Sequence, residues 1–286
     1  MNKFPDFIII GAGKCGTTSI YNYLDQHPQI ALCPAKETYF FVPEPVRSKL
    51  KPWGAITEIE DYSNLFKGVA SDCVVGEIST TYYQYAESAK LISQTLPQTK
   101  IIAILRNPAT RAFSDYQMHY RKGNEQQDFQ EILSPDNRFI KPGFYYAELV
   151  PFFEVFDRQQ IKIFLFEDLI ENPQKMMIEL FDFIQVDAKF IPDVSKKSRT
   201  GGMPKNQQLN LLLTKDNPLR SVAAAILKIF IPLDLRQKIR SSLIDKNIKT
   251  TKLTLESQKI LIEIYREDIL KLQNIIDRDL SHWLKL

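Results

Sequence analysis

Short runs of consecutive apolar residues alternate with longer segments of helical periodicity over the first 194 residues of the chain. The apolar runs predict strands at Asp6–Ile10, Cys73–Glu77, Lys100–Leu105 and Ile161–Phe166. The segments that follow predict helices at Thr17–Gln26, Tyr83–Thr95, Pro108–Arg121, Phe144–Phe156 and Gln174–Ile184. Continuous apolar strands that alternate with helices are typical of a parallel sheet covered on both faces. The pattern therefore predicts an α/β fold that binds its ligand at the carboxyl ends of the strands.

The character of the sequence changes after this region. Ser195–Asn206 is polar and contains glycine, which predicts a loop, and Asn217–Lys246 is a basic amphipathic segment. A last helix, Thr254–Asp277, carries apolar residues along one face and is expected to pack back against the core. The chain shows no repeat and no low-complexity linker. We therefore expect one domain, with a core at 1–194 and a loop and helical extension at 195–286.

The overall composition is that of an ordinary globular protein. Hydrophobic residues make up 44% and charged residues 25% of the 286 positions, and the formal net charge is +3. These values exclude a disordered or collagen-like chain. They also give no reason to expect nucleic acid as a partner, so any anion site must come from locally placed charge.

The cysteines and histidines argue against a metal centre or a disulfide framework. Three cysteines (Cys15, Cys33 and Cys73) have no metal-ligand spacing, which favours reduced thiols and a cytoplasmic protein. Three histidines are too few for a site built from several of them. No leader pattern is visible, and no apolar run approaches the ~20 residues that span a bilayer.

A glycine-rich segment follows the first predicted strand. Three of the ten glycines fall within six positions, directly before the first predicted helix. Glycines allow backbone N–H groups to turn toward an anion, and the start of a helix adds its positive dipole. A lysine inside the loop adds a cation. The segment therefore predicts a site for a phosphate-like group, with these candidate contacts: Gly13, Lys14, Cys15, Gly16, Thr17, Thr18 and Ser19.

A magnesium-dependent kinase is the first alternative for this loop. Gly11 and Gly16 match the spacing of the G-x-x-x-x-G-K-[ST] motif, but Thr17 stands where that motif has its lysine. The strand Lys100–Leu105 is followed by Arg106 and not by an acidic residue that would hold magnesium. A site that binds its anion without a metal is therefore favoured.

A second cation follows the strand Lys100–Leu105. Arg106 comes at the ligand-binding end of the strand, and Asn107 with Pro108 is a typical helix start. Ser114 lies two turns into that helix. A guanidinium and a hydroxyl can bind an anion together. Two anion sites after neighbouring strands indicate one ligand with phosphate-like groups at both ends, such as a nucleotide with a 3′-phosphate and a 5′ diester-like group.

These motifs together resemble the sulfotransferase family, which uses 3′-phosphoadenosine-5′-phosphosulfate (PAPS). The loop Gly11–Ser19 is similar to the family's 5′-phosphosulfate-binding loop, and Arg106–Tyr116 is similar to its 3′-phosphate-binding motif. Three further segments resemble the heparan-sulfate-type branch and its bacterial relatives: Lys36–Phe41, Gly143–Tyr145 and Tyr265–Trp283. The resemblance covers most of the chain.

The resemblance implies a P-loop-like central parallel sheet flanked by helices, with a helical C-terminal extension. It also implies transfer of a sulfuryl group from PAPS to a hydroxyl or amine of a carbohydrate, lipid-linked or small-molecule acceptor, which leaves adenosine 3′,5′-bisphosphate. Lys14 is the candidate cation at the leaving oxygen. Glu37 is the candidate base by similarity to the catalytic glutamate of the heparan-sulfate branch. Lys36 is a candidate to orient Glu37 or contact an acidic acceptor, with a solvated lysine as the alternative, and His119 is expected to be structural.

The remaining parts of the chain are matched less closely. Lys197, Arg199 and Gly201 resemble the basic glycine loop that covers the nucleotide in the family. Within Gly76–Tyr82, isoleucine replaces the lysine of a glutamate–lysine pair that contacts the polysaccharide in heparan-modifying enzymes, which argues against a polyanionic glycosaminoglycan acceptor. The stretch Arg220–Arg240 is expected to be a packed helix pair, with contact to a membrane surface as the lesser hypothesis. A non-catalytic nucleotide-binding protein is the second alternative, and the oligomeric state is not predicted.

Overall fold

A computed structural model describes residues 3–195, 202–214, 235, 242–244 and 246–286. The predicted nucleotide-covering residues Lys197, Arg199 and Gly201 lie outside the described residues. The same holds for the basic stretch Arg220–Arg240, apart from Leu235.

The centre of the molecule is a parallel sheet of five strands. Its strands are β1 (Phe7–Gly11), β2 (Ile30–Leu32), β3 (Val74–Ile78), β4 (Lys100–Leu105) and β5 (Ile161–Leu165). They lie in the order β2-β3-β1-β4-β5, and each neighbouring pair is parallel. The predicted parallel α/β sheet is confirmed. The edge strand β2 was not predicted, because three residues of which only the first is buried give no apolar run.

Helices cover the sheet and extend beyond it. Their bounds are α1 (Thr17–Leu24), α2 (Val46–Leu50), α3 (Ile59–Asn64), α4 (Ala86–Thr95), α5 (Pro108–Arg121), α6 (Tyr145–Val155), α7 (Phe166–Glu171), α8 (Pro173–Ile184), α9 (Gln207–Thr214) and α10 (Leu255–Ile276). All five helices predicted in the core are present. The helix predicted from Tyr83 begins at Ala86, because Tyr82–Gln84 forms a 3₁₀ turn. The short helices α2, α3 and α7 have too few residues to show a periodicity.

The last helix packs against the core as its apolar face predicted. Leu261, Tyr265, Ile269 and Leu272 on α10 are buried. The Tyr265 ring lies 5.1 Å from that of Phe144, which directly precedes α6. Within the predicted loop Ser195–Asn206, Met203–Pro204 forms a short antiparallel ladder, β6, with Ile248–Lys249, β7.

Two local features bring the ends of the central strands together. Phe7 of β1 faces Gly76 of β3, where an added Cβ would lie 2.1 Å from the Phe7 ring, so the glycine lets the strands pair closely around a large side chain. After β4, the Asn107 side chain accepts hydrogen bonds from the N–H groups of Ala109 (3.0 Å) and Thr110 (3.2 Å), and Pro108 occupies the first helical position. This capping starts α5 directly at the strand end, as predicted.

Candidate active site

The glycine loop joins β1 to α1 in a conformation that needs a glycine at its end. Gly16 has φ +85°, and an added Cβ there would lie 2.5 Å from Cδ2 of Leu169. Lys14 also has a positive φ of +73°. Gly16 stands at the N-terminus of α1, whose first N–H groups have no acceptor within the helix. The loop therefore presents the arrangement that binds phosphate-like anions.

The side chains of the loop point in different directions. Thr17 and Ser19 are buried and Thr18 is exposed, so of these three hydroxyl residues Thr18 is the one open to solvent. The Cys15 thiol is buried, with its sulfur 3.9 Å from the Tyr145 hydroxyl oxygen. Burial raises the pKa of Cys15 to about 11, so this side chain is an uncharged core group. A ligand could therefore contact the backbone of Cys15 but not its thiol.

Lys14 is a half-buried cation on the open side of the loop. Its Nζ lies 3.6 Å from Sδ of Met118 on α5. Burial lowers the pKa of Lys14; Asp115 opposes this shift, and the cations Arg121, Lys122 and Arg106 reinforce it. A partly desolvated ammonium among other cations gains from an anion placed beside it.

Arg106 contacts the same loop. Its Nη1 donates to the carbonyl oxygen of Lys14 at 3.4 Å, and its Nε donates to Oγ1 of Thr110 at 3.0 Å. The guanidinium lies over the ring of Phe166, 4.8 Å from its centroid. The two predicted cations therefore lie close together, after the ends of β1 and β4.

Ser114 lies between the contacts of these two cations. It is four residues after Thr110, which holds Arg106, and four residues before Met118, which contacts Lys14. Residues at this spacing share one face of a helix. Ser114 is half-buried on that face, so α5 presents its hydroxyl between Lys14 and Arg106.

Glu37 lies in the segment after β2, where donors from beyond β3 hold its carboxylate. Its Oε1 accepts hydrogen bonds from Thr80 N (3.1 Å) and Thr80 Oγ1 (2.6 Å), and Oε2 accepts one from Thr81 Oγ1 (3.2 Å). An added Cβ on Gly13 would lie 3.7 Å from the same Thr80 Oγ1. Thr80, which holds the Glu37 carboxylate, therefore lies close to Gly13 of the glycine loop.

Two further residues discussed from the sequence are Lys36 and His119. The Lys36 ammonium donates to Oγ1 of Thr18 at 3.0 Å, which ties it to the start of α1 rather than to Glu37. Burial lowers the pKa of His119; its nearest carboxylate, on Asp115, opposes the shift from 4.0 Å. These contacts do not assign a role to either residue, so their roles remain predictions.

One sequence interpretation stays a prediction. The replacement of a lysine by Ile78 within Gly76–Tyr82 argues against a polyanionic acceptor. Glu77 is fully buried and Ile78 is 2% exposed, so neither side chain is available to contact an acceptor in this protein. The charge of the acceptor itself is not tested by this burial.

Several residues of the cleft were missed from the sequence. Thr80 and Thr81 fix Glu37, Thr110 and Phe166 hold Arg106, and Met118 contacts Lys14. The signal that could have found most of them is position, because Thr80 and Thr81 come within four residues of the end of one predicted strand and Phe166 is the last residue of another. Over the residues that the structure describes, no helix is long and apolar enough to span a bilayer. The same residues contain no group of three or more metal-ligating side chains.

The protein has a parallel α/β sheet, with Lys14 and Arg106 close together after β1 and β4. The family model of the sulfotransferase domain matches residues 4–268. The chain therefore belongs to the sulfotransferase family. The predicted resemblance is confirmed at the level of the family.

Individual relatives agree with this placement. The chain is 29% identical over 208 residues to a bifunctional heparan sulfate N-deacetylase/N-sulfotransferase of Drosophila melanogaster, and 27% identical over 205 residues to a human enzyme of that name, number 2. Each match covers 65% of this chain but about a fifth of the relative (20% and 22%). The crystal structure of a sulfotransferase from Alicyclobacillus acidocaldarius superposes with a TM-score of 0.74 at 27% identity, covering 99% of this chain and 100% of that one.

Proposed function

We propose that the protein transfers a sulfuryl group from PAPS to a hydroxyl or amine of an acceptor, with Lys14 and Glu37 at the reacting centre. The observation that carries this proposal is that three predicted residues lie on or beside one loop. Arg106 donates to the backbone of Lys14, and Thr80, which holds the Glu37 carboxylate, lies close to Gly13. This proximity supports a donor site with a base for the acceptor next to it.

The donor side of the cleft fits a nucleotide with two anionic ends. The glycine loop and the N-terminus of α1 would hold the 5′-phosphosulfate, since Gly16 leaves the helix amides open. Arg106 and Ser114 would hold the 3′-phosphate by charge-assisted and hydroxyl hydrogen bonds. PAPS supplies an electrophilic sulfur and a stable phosphate leaving group when bound.

Lys14 and Glu37 would act on opposite sides of the transferred group. Negative charge develops on the leaving oxygen as its bond to sulfur breaks, and the Lys14 ammonium stabilises that charge. The acceptor must lose a proton as it attacks, and the Glu37 carboxylate accepts that proton. Three hydrogen bonds hold the carboxylate in one orientation, which favours attack from one direction.

A carbohydrate is the acceptor class that the relatives support best. The matched relatives are named for N-sulfation of heparan sulfate. Lipid-linked and small-molecule acceptors remain within the proposal, since each match covers only about a fifth of those enzymes. A kinase is disfavoured by the family match.

Two measurements test the proposal. Adenosine 3′,5′-bisphosphate should raise the melting temperature far more than ATP with Mg²⁺, because Arg106 and Ser114 would bind a 3′-phosphate that ATP lacks. Radiolabelled sulfate should then pass from [³⁵S]PAPS to a member of an acceptor panel that includes N-deacetylated heparosan, simple glycosides and phenols. A larger shift with ATP and Mg²⁺ would contradict the donor assignment, and binding without transfer to any acceptor would favour a non-catalytic nucleotide-binding protein.

A further inference from the structure

The buried carboxylate of Glu77 at the end of β3 is surrounded by hydroxyl groups. Its Oε1 accepts hydrogen bonds from Thr38 Oγ1 (2.6 Å), Ser79 Oγ (2.7 Å) and the Tyr82 hydroxyl (2.7 Å), and its Oε2 accepts one from the Tyr62 hydroxyl (2.5 Å). The side chain is completely shielded from solvent. A buried carboxylate is costly unless its oxygens are satisfied, and these four donors satisfy it.

The two tyrosine hydroxyls beside Glu77 keep their protons and can donate to it. Burial raises the pKa of both Tyr62 and Tyr82 well above the ordinary value for tyrosine, and the neighbouring Glu77 carboxylate raises it further. The Thr38 and Tyr82 hydroxyl oxygens also lie 2.7 Å apart, so these two groups share a hydrogen bond in addition to their contacts with Glu77. Glu77 is therefore the common acceptor of one connected group of hydroxyls.

Three of these groups also hold the segment that carries Glu37. The backbone N–H of Thr38 donates to Ser79 Oγ (3.1 Å), that of Phe40 to Thr38 Oγ1 (3.3 Å) and that of Phe41 to the Tyr82 hydroxyl (3.4 Å). The three hydroxyl oxygens therefore each contact Glu77 and also accept from the segment. Glu77 thus orders the hydroxyl oxygens that accept hydrogen bonds from the backbone N–H groups of the 38–41 segment, directly after Glu37.

That segment has a conformation that needs such support. Glu37 has φ +63° and Tyr39 has φ +56°, both in the left-handed region that non-glycine residues rarely adopt. Residues in this region persist where their surroundings hold them. Thr38 lies between them and binds Glu77 directly.

We propose that Glu77 is a positioning residue, which orders the hydroxyls of Thr38, Ser79 and Tyr82 and thereby holds the 38–41 segment so that the Glu37 carboxylate rests against Thr80. The inference rests on the proposed role of Glu37 as the base. Because Glu77 contacts no open cleft, it acts through Glu37 and does not touch the acceptor.

The first test replaces the carboxylate by its neutral isostere. In Glu77→Gln the amide nitrogen can only donate. In place of Oε1 it opposes the three hydroxyls that hold the 38–41 segment, and in place of Oε2 it opposes Tyr62, whose ring stacks on that of Phe40 at 4.3 Å. Either orientation disturbs the segment. We expect kcat for transfer from PAPS to fall about 10- to 100-fold, as a small misplacement of a catalytic group does. The Kd for adenosine 3′,5′-bisphosphate, measured by calorimetry, should stay within about twofold because the donor residues follow β1 and β4.

A second pair of variants serves in case Glu77→Gln does not fold. Thr38→Val removes the hydroxyl that links the segment to Glu77 at nearly unchanged volume, and Thr38→Ser keeps that hydroxyl. We expect Thr38→Val to lower kcat roughly 10-fold and Thr38→Ser to retain wild-type kcat. Hydrogen exchange of the peptide 37–42 should speed up in Thr38→Val and not in Thr38→Ser, because its amides lose their ordered acceptors.

A control separates positioning from general stability. Asp268 is another buried carboxylate, which accepts hydrogen bonds from the N–H groups of Tyr146 and Ala147 at the start of α6. Asp268→Asn should lower the melting temperature yet leave kcat and the exchange of peptide 37–42 unchanged. Wild-type protection of that peptide in Thr38→Val, or unchanged kcat in a folded Glu77→Gln, would overturn the inference. Absence of transfer by the wild-type protein with every acceptor would contradict the proposed function instead, and the exchange measurement would still decide whether Glu77 holds the segment.

Discussion

The cations of the cleft and its carboxylates have different surroundings. Lys14 has a thioether sulfur as its hydrogen-bond partner within the described residues, and Arg106 contacts a backbone carbonyl and a threonine hydroxyl. Glu37, by contrast, accepts three hydrogen bonds, and Glu77 behind it accepts four. The cationic side keeps its charge available, while the carboxylate side is already satisfied by the protein.

The difference follows from what each side must do. A site for a doubly charged donor receives its counter-charge with the ligand, so unsatisfied cations and helix amides favour binding. A base must instead point in one direction before the acceptor arrives, and donors from the protein provide that orientation in advance. Substitutions on the two sides should therefore change different measured quantities.

The largest expected effect is on the carboxylate side. Glu37→Gln removes the proton acceptor but keeps the shape of the side chain, so kcat should fall about 10²- to 10⁴-fold. The Kd for adenosine 3′,5′-bisphosphate should not change. Initial rates with [³⁵S]PAPS and calorimetry measure the two quantities. A wild-type kcat in this variant would contradict the role of Glu37 as the base. The carboxylate side would then have no part in the reaction.

Lys14→Ala should give the next largest effect. Loss of the cation at the leaving oxygen is expected to lower kcat about 10²- to 10³-fold. The affinity for PAPS should also fall, because Lys14 contacts the donor before reaction, and this loss distinguishes it from Glu37→Gln. Lys162→Ala provides a matched control, since that lysine pairs with Glu179 at 3.5 Å on the surface. Equal losses in the two lysine variants would contradict the assignment.

Arg106→Lys tests the binding of the 3′-phosphate of the donor and should weaken the affinity for it. A lysine keeps the charge but loses the forked guanidinium, so one charge-assisted hydrogen bond is lost. Such a bond contributes about 1.5–3 kcal/mol, which corresponds to a roughly 10- to 100-fold weaker affinity for adenosine 3′,5′-bisphosphate. Adenosine 5′-monophosphate, which has no 3′-phosphate, serves as the control ligand. Equal weakening of both ligands would place Arg106 elsewhere than at the 3′-phosphate.

The cationic side was predictable from the sequence because its residues are close together along the chain. Gly13 to Ser19 form one loop, and Arg106 and Ser114 are separated by two turns of one helix. Glycine, lysine and arginine at strand ends indicate anion binding by their chemistry alone. Strand and helix periodicities then placed both motifs at the same edge of the sheet.

The surroundings of the carboxylates could not be predicted in this way. The donors to Glu77 come from residues 38, 62, 79 and 82, and those to Glu37 from residues 80 and 81. Hydroxyl side chains have no period or spacing that reveals a shared partner across 40 residues. Glu77 itself ends an apolar strand, where a charged residue is ordinarily taken as exposed. Three-dimensional packing alone reveals its burial.

The smallest expected effect is on stability and concerns Glu148, which contrasts with the hydrogen-bonded carboxylates of Glu37 and Glu77. It lies on α6, where burial raises its pKa to about 7; Lys141 opposes the shift and Asp268 adds to it. The folded protein therefore holds a proton on Glu148 that the unfolded chain releases near pH 4.5. Its stabilising contribution is present below that pH and is lost as the pH rises through 7.

Glu148→Gln should therefore stabilise the protein in neutral and alkaline solution. The variant carries no ionisable group, so its melting temperature should match that of the wild type near pH 5 and exceed it by roughly 2–6 °C at pH 8, from about 1–2 kcal/mol after allowance for partial exposure. Glu154→Gln, at an exposed position on the same helix, should show no such pH-dependent difference. A wild-type melting temperature that exceeds the variant's at pH 8 would mean that Glu148 is stabilised as a carboxylate. In that case Glu148 would offer no contrast with the hydrogen-bonded carboxylates of Glu37 and Glu77.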